Sequence, residues 1–215
     1  DPINNINFLA TLACFIKGVD EYSDLLRLSI ASYSNDYRLG GNEAPPSIIS
    51  IYLGNELNNI IDSIINDKFV EISKKRFDTG VSIISDFTVD NADRNRTSPF
   101  SFNGNKFEFR GVGSSQSIAF TNTILNSIMA YEMRQMIKEI NKGIKPLKII
   151  KQYFKDHKRV IYDGDCYSSF WINKSKKLGL SYKKSTLEAL AALKDEKQIK
   201  ILKELNIHSQ LEIDS

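Results

Sequence analysis

The sequence predicts an α+β chain whose C-terminal half is mostly helical. Three observations predict it. Apolar residues recur at spacings of three and four over several stretches, aromatic residues alternate on both sides of an Asn103-Gly104 pair, and after Ser117 nearly every segment has a helical period.

Taken in order, Ile6, Leu9, Ala10, Ala13, Cys14 and Ile16 form the buried stripe of a helix that Lys17-Gly18 ends. A short apolar stretch over 25–30 precedes a break at Ser34-Asn35-Asp36 and a Gly40-Gly41-Asn42 turn, so 36–46 reads as a loop. Residues 48–52 are β-rich. Leu57, Ile60, Ile61, Ile64 and Ile65 mark a helix over 56–65, closed by Asn66-Asp67. Residues 86–110 are dense in Asn, Asp, Arg, Thr, Ser and Phe and read as loop and strand. From Ile118 to Ile140 runs a long helix that stops at Gly143, and Pro146 opens another through Phe154. Ser185-Thr186-Leu187-Glu188 is a capping-box start for a helix over 187–193, and 196–205 is the last. No repeat, low-complexity segment or linker divides the chain.

Composition narrows the class. With 215 residues, 41% hydrophobic and 26% charged, the chain has the apolar content for a core, which excludes a disordered tail or a collagen-like fibre. The longest apolar runs, 8–16 and 48–53, fall short of the ~20 residues that cross a bilayer, and no leader opens the chain. Cys14 and Cys166 lie far apart without CxxC or CxxxH spacing, against a disulfide framework or a structural zinc. These features predict a soluble protein of a reducing, cytoplasmic compartment. A net charge of +3 is too small to imply nucleic acid or an anionic membrane. The absence of an initiator Met, with Asp1-Pro2-Ile3 leading almost directly into a helix, suggests a chain cut from something longer.

Three stretches offer chemistry. In T-S-P-F-S-F-N-G-N-K-F-E-F-R (97–110), a two-residue Asn103-Gly104 turn places Phe102 opposite Asn105 and Phe100 opposite Phe107. Alternation then sends Phe107 and Phe109 to one face and Lys106, Glu108 and Arg110 to the other, a carboxylate between two cations. A solvated strand face accounts for this triplet as well as a carboxylate metal ligand between phosphate-contacting cations does. In Asp93-Arg94-Asn95-Arg96, the Arg96 fork suits a phosphoryl group, and an ordinary salt bridge with Asp90 or Asp93 suits it too. Between Asp36 and Pro46, glycines beside Arg38 and Glu43, pinned by Pro45-Pro46, describe either a lid or a plain connecting loop.

Together these stretches resemble glutamine synthetase. R-L-G-G-N-E-A-P-P, R-N-R-T and K-F-E-F-R stand in the family's order over 19–117, and the surrounding wording looks like its long type III class. The resemblance implies an end of the family's curved, mainly antiparallel catalytic sheet with its helices over 1–118, and a helical C-terminal region over 119–215. It implies ATP-dependent ligation of ammonia to L-glutamate through γ-glutamyl phosphate, with Mg2+ or Mn2+, in a homo-oligomeric ring whose sites lie between subunits. By match to the motifs, Glu108 binds the metal nearest the transferred phosphoryl group and Arg96 contacts phosphate and substrate. Arg38 and Arg110 hold glutamate carboxylates. Glu43 closes over glutamate and helps accept a proton from ammonium, and Lys106 contacts ATP where the family commonly has Arg.

Two departures accompany the match. Ser101 stands five residues beyond Arg96, where many members have another ATP-binding Arg, and the other metal-binding glutamates and histidine of the family lie upstream of these residues. His157 and His208 read as solvent-facing helix residues. Two alternatives belong to other classes: an assembly module whose Lys-rich stretch over 142–184 meets an acidic partner, and a ligase that joins another amine to glutamate.

Overall fold

The computed structural model describes residues 5–41, 44–68 and 98–214. These form an α+β arrangement of ten α-helices around a three-stranded mixed sheet. Helix α1 (Ile6–Glu21) begins where the Asn5 side chain accepts from the backbone N–H groups of Asn7 and Phe8. Helices α2 (Ser23–Ser29) and α3 (Tyr33–Arg38) follow, then strand β1 (Ile51–Tyr52) and α4 (Asn55–Ile65). The turn into α4 is held from a distance: the Asp163 carboxylate accepts from the N–H groups of Leu53 at 2.9 Å and Gly54 at 2.8 Å.

Strands β2 (Phe100–Phe102) and β3 (Phe107–Phe109) form the hairpin, with β1 parallel to β2 on the other side. The register differs from the one the Asn103-Gly104 turn predicts. Phe100 pairs with Phe109 and Phe102 with Phe107, and the Asn103 N–H donates to the Lys106 carbonyl at 2.9 Å. Gly104 and Asn105 are therefore the central residues, and Gly104, at φ +82°, takes the position a type II′ turn reserves for glycine. Two flanking aromatic pairs reward this register: Phe100 stacks on Phe109 at 4.2 Å between centroids, and Phe102 meets Phe107 at 5.1 Å.

The long helix α5 (Ala119–Asn141) ends before Gly143 at φ +86°, and Pro146 opens α6 (Pro146–His157). Then come α7 (Ser169–Lys177), α8 (Thr186–Ala189), α9 (Glu196–Glu204) and α10 (Gln210–Asp214). One apolar cluster joins Leu12, Ile16 and Leu25 to Phe100, Ile128, Phe154 and Leu202, so helices from both ends of the chain close on the same core. Neither cysteine is bonded to the other, and no described helix is long and apolar enough to cross a membrane.

Several local expectations are corrected. Helix α1 runs three residues beyond Gly18, because Gly18 marks close helix packing rather than a stop: a Cβ there would lie 2.4 Å from Ile128 Cγ2 of α5. The break at Ser34-Asn35-Asp36 is helical in α3, started by Ser32, whose hydroxyl accepts from the Asn35 N–H. Only half of the capping box forms. Ser185 accepts from the Glu188 N–H, but the Glu188 carboxylate takes the Lys184 N–H, and the α-helix gives way after Ala189 to a 3-10 turn over Leu190–Lys194. His157 does not face solvent: its side chain is 13% exposed and its Nδ1 lies 2.8 Å from Asp20 Oδ2, with Arg159 on the same carboxylate. His208 is half-buried beside the Phe120 ring.

A buried ion pair fixes how α3 sits. Arg27 of α2 is fully buried. Its Nη2 donates to Asp36 Oδ1 of α3 at 2.6 Å and to the Lys184 carbonyl at 3.3 Å, while Nε donates to the Lys183 carbonyl at 2.8 Å. The other Asp36 oxygen accepts the Thr186 N–H at the start of α8. Burial acts to raise the Asp36 carboxyl, but the Thr186 N–H and the Arg27 guanidinium outweigh it and hold the group below the ordinary carboxylate range.

Removing the carboxylate strands a buried cation. Asp36→Asn in the full-length protein should cost about 3 kcal/mol at pH 7, read from chemical denaturation. Because the folded pKa of Asp36 is lowered, its contribution is complete above the ordinary carboxylate value of about 4 and disappears as pH falls through the folded value. The stability gap between wild type and variant should therefore close on acidification; a gap unchanged between pH 7 and 3 would refute the pairing. Gly18→Ala supplies a second check. Helix propensity alone favours Ala by ~1 kcal/mol, but the clash with Ile128 should make the variant less stable by about 1–3 kcal/mol.

Candidate functional site

Strand β3 sorts its side chains as alternation requires. Phe107 stacks on Phe15 of α1 at 4.0 Å and Phe109 on Phe100, so both rings face the core. The opposite face carries Lys106, Glu108 and Arg110. Lys106 Nζ lies 3.4 Å and Arg110 Nε 3.7 Å from the Glu108 carboxylate. Glu108 is 26% exposed and Lys106 63%, which leaves the carboxylate reachable beside a mobile ammonium and a better-anchored guanidinium.

Arg38 reaches this strand end from α3. Its Nη2 donates to the Arg110 carbonyl at 3.1 Å, and its Nη1 donates to the Gly111 carbonyl at 3.3 Å and to Asn35 Oδ1 at 3.0 Å. Asn35 is buried, and its Nδ2 donates to the carbonyls of Ile30 at 2.7 Å and Gly111 at 2.9 Å. The end of α2 is sewn to the segment after β3 by two further side chains. Gln116 donates to the Ala31 carbonyl while accepting the Gly113 N–H, and Thr121 donates to the Ser29 carbonyl. Three carbonyls at a helix C-terminus are thus capped by side chains. The segment presses in closely: a Cβ on Gly111 would lie 2.7 Å from Ile30 Cδ1 and 3.1 Å from the Phe109 ring.

The structure therefore brings Lys106, Glu108 and Arg110 to one face of β3, with Arg38 against the backbone at its C-terminal end. Glu43 and Arg96 lie outside the described residues. Ser101 is buried within β2, so this position offers no contact to a nucleotide. Among the described residues no group of three or more His, Cys, Asp or Glu gathers to hold a metal. Glu108 supplies one carboxylate, a single ligand rather than a site. The cysteines take no part. Burial pushes Cys166 up to about 11 and Cys14 up to about 12, which keeps both as thiols at neutral pH. Sequence reasoning missed Arg27, Asn35 and Gln116. A charge inside the apolar run Leu25-Leu26-Arg27-Leu28 is the signal that points to the first; Asn35 carries none, since Ser-Asn-Asp reads as a turn.

Comparison with known proteins agrees with the motifs. The family model of the glutamine synthetase C-terminal domain matches residues 145–215. The chain is 45% identical over 222 residues to the type-3 glutamine synthetase of Dictyostelium discoideum, covering all of this chain and 30% of that protein. It is 39% identical over 194 residues to a glutamine synthetase of Butyrivibrio fibrisolvens, covering 84% of this chain and 26% of the relative. A glutamine synthetase of Bacteroides fragilis is 33% identical over 225 residues, covering 99% of this chain and 31% of the relative. The chain thus spans about three-tenths of the length of these relatives. It belongs to the glutamine synthetase family, and its residues correspond to the C-terminal part of the type-3 enzyme.

Proposed function

We propose that this chain is the glutamate-clamping part of a glutamine synthetase, an enzyme that ligates ammonia to L-glutamate with ATP through γ-glutamyl phosphate. The supporting observation is the Lys106, Glu108 and Arg110 face of β3, with Arg38 bound to the carbonyls at its end. Anionic glutamate and ATP must be brought together for the phosphoryl transfer, so fixed cations are what the chemistry needs from these residues. Arg110 and Arg38 hold glutamate carboxylates. Three Arg38 bonds go to the protein, which leaves its Nε–H and one Nη2–H for a ligand. Lys106, the most exposed of the three β3 charges, reaches toward ATP as a point charge.

Glu108 contributes one oxygen to a divalent cation, Mg2+ or Mn2+, whose chemistry when bound is to neutralise phosphate charge. Among the described residues no group of three or more His, Cys, Asp or Glu completes such a site around it. In the same reading Arg96 contacts phosphate, Glu43 accepts a proton from ammonium, residues 1–118 continue the family's curved catalytic sheet, and 119–215 form its helical C-terminal region. The whole enzyme is a cytoplasmic homo-oligomeric ring with sites between subunits. An assembly module would have no use for a carboxylate between two cations beside a partly anchored arginine.

Glu108→Ala in the full-length enzyme should weaken divalent-metal binding and lower turnover by orders of magnitude, since a positioned charge in such a site is worth several kcal/mol. Near-normal metal affinity and rate would remove Glu108 from the site. The isolated 215-residue chain should catalyse no γ-glutamyl transfer, for want of further metal ligands, and measurable transfer by it would contradict this assignment. An acceptor screen with ammonia and alkylamines separates glutamine synthesis from ligation of another amine.

A further inference from the structure

We propose that Asn35 is a positioning residue for glutamate: its buried amide sets Arg38 and, through the backbone of Arg110-Gly111, the aim of Arg110. This rests on the functional reading above and adds a residue to it. The Asn35 side chain is 1% exposed and cannot touch a substrate from the described arrangement. It nevertheless uses its polar atoms in three directions. Nδ2 ties the Ile30 carbonyl at the end of α2 to the Gly111 carbonyl just past β3, and Oδ1 receives Nη1 of Arg38.

The consequence is geometric. Arg38 sits three residues after Asn35, one helical turn on, and the two side chains converge on the same Gly111 oxygen at 3.3 Å and 2.9 Å. That oxygen belongs to the residue after Arg110, and the Arg110 oxygen itself accepts Arg38 Nη2. Both arginines are thereby referred to one fixed point. The Arg38 guanidinium is held in plane with one edge on the protein, and the backbone that leaves Arg110 cannot rotate without breaking the Arg38 bond to the Arg110 carbonyl or the bond of the buried amide to the Gly111 carbonyl. The amide is closely packed: a Cβ on Gly113 would lie 3.3 Å from Asn35 Oδ1 and 3.0 Å from Gln116 Oε1.

Asn35→Asp in the full-length enzyme is the test. The variant keeps size and an acceptor for Arg38, but turns an acceptor oxygen toward the Ile30 and Gly111 carbonyls in place of a donor. The KM for glutamate should rise about tenfold, the equivalent of one or two lost hydrogen bonds. The KM for ATP should change less than twofold. Combined with Arg38→Ala, the variant should add less to the glutamate KM than it does alone, because part of its effect passes through Arg38. A role in stability alone predicts a lower active fraction with the glutamate KM unchanged, and that result overturns the proposal, as does full additivity with Arg38→Ala. If Asn35→Asp fails to fold, Asn35→Ser keeps a small polar side chain but loses the reach to Arg38 and Gly111, and should raise the glutamate KM selectively; no change there overturns the proposal. Wild-type enzyme assayed alongside separates the two levels. Absence of glutamate-dependent phosphate release refutes the synthetase reading and this role with it, whereas normal wild-type activity with unaltered KM in the variants refutes the role of Asn35 alone.

Discussion

A guanidinium with no access to water governs the arrangement. Arg27 lies in the first apolar layer, where an unpaired charge would be costly, so its neighbours must come to it. Asp36 comes from α3, and the carbonyls of Lys183 and Lys184 come from a segment about 150 residues later in the chain. Thr186 completes the set by donating to the same Asp36 carboxylate. Helix α3 has six residues, too few for stability on propensity alone, and it stands where it does because this cluster holds it.

The neighbouring residue works in the other direction. Asp36 ties α3 to the C-terminal helical part, and Asn35 ties it to the backbone that leaves β3. A six-residue helix therefore joins the region matched by the C-terminal family model to the strand bearing Lys106, Glu108 and Arg110. Burial and polar satisfaction act together here: the carbonyls at the end of α2 are capped by Asn35, Gln116 and Thr121, and of these Asn35 also receives Arg38 of the candidate site.

Much of this was legible in the sequence where the cause is local. The period of α4, the Gly143 stop of α5 and Pro146 at the start of α6 lie within a turn or two of what they determine. Alternation along β3 correctly separates Phe107 and Phe109 from the charged triplet. The hairpin register was not legible, because two turn types compete at Asn103-Gly104-Asn105 and the aromatic pairs across the strands decide between them. Gly18 looks like a helix stop until Ile128, 110 residues away, fills the space a side chain would need. His157 looks exposed until Asp20 and Arg159 are placed beside it. The motifs revealed Arg38 as a candidate ligand-binder, but not that most of its hydrogen-bonding capacity is spent on the protein.

An experimental structure of the full-length enzyme with glutamate, a divalent cation and a non-hydrolysable ATP analogue decides between a ligand-binding strand and a structural one. It should show the Glu108 carboxylate on the cation, Arg110 and the Nε side of Arg38 on glutamate, and the bonds of Asn35 to Ile30, Gly111 and Arg38 intact. Glutamate bound away from the end of β3, with Glu108 still held between Lys106 and Arg110 and touching no cation, would contradict it.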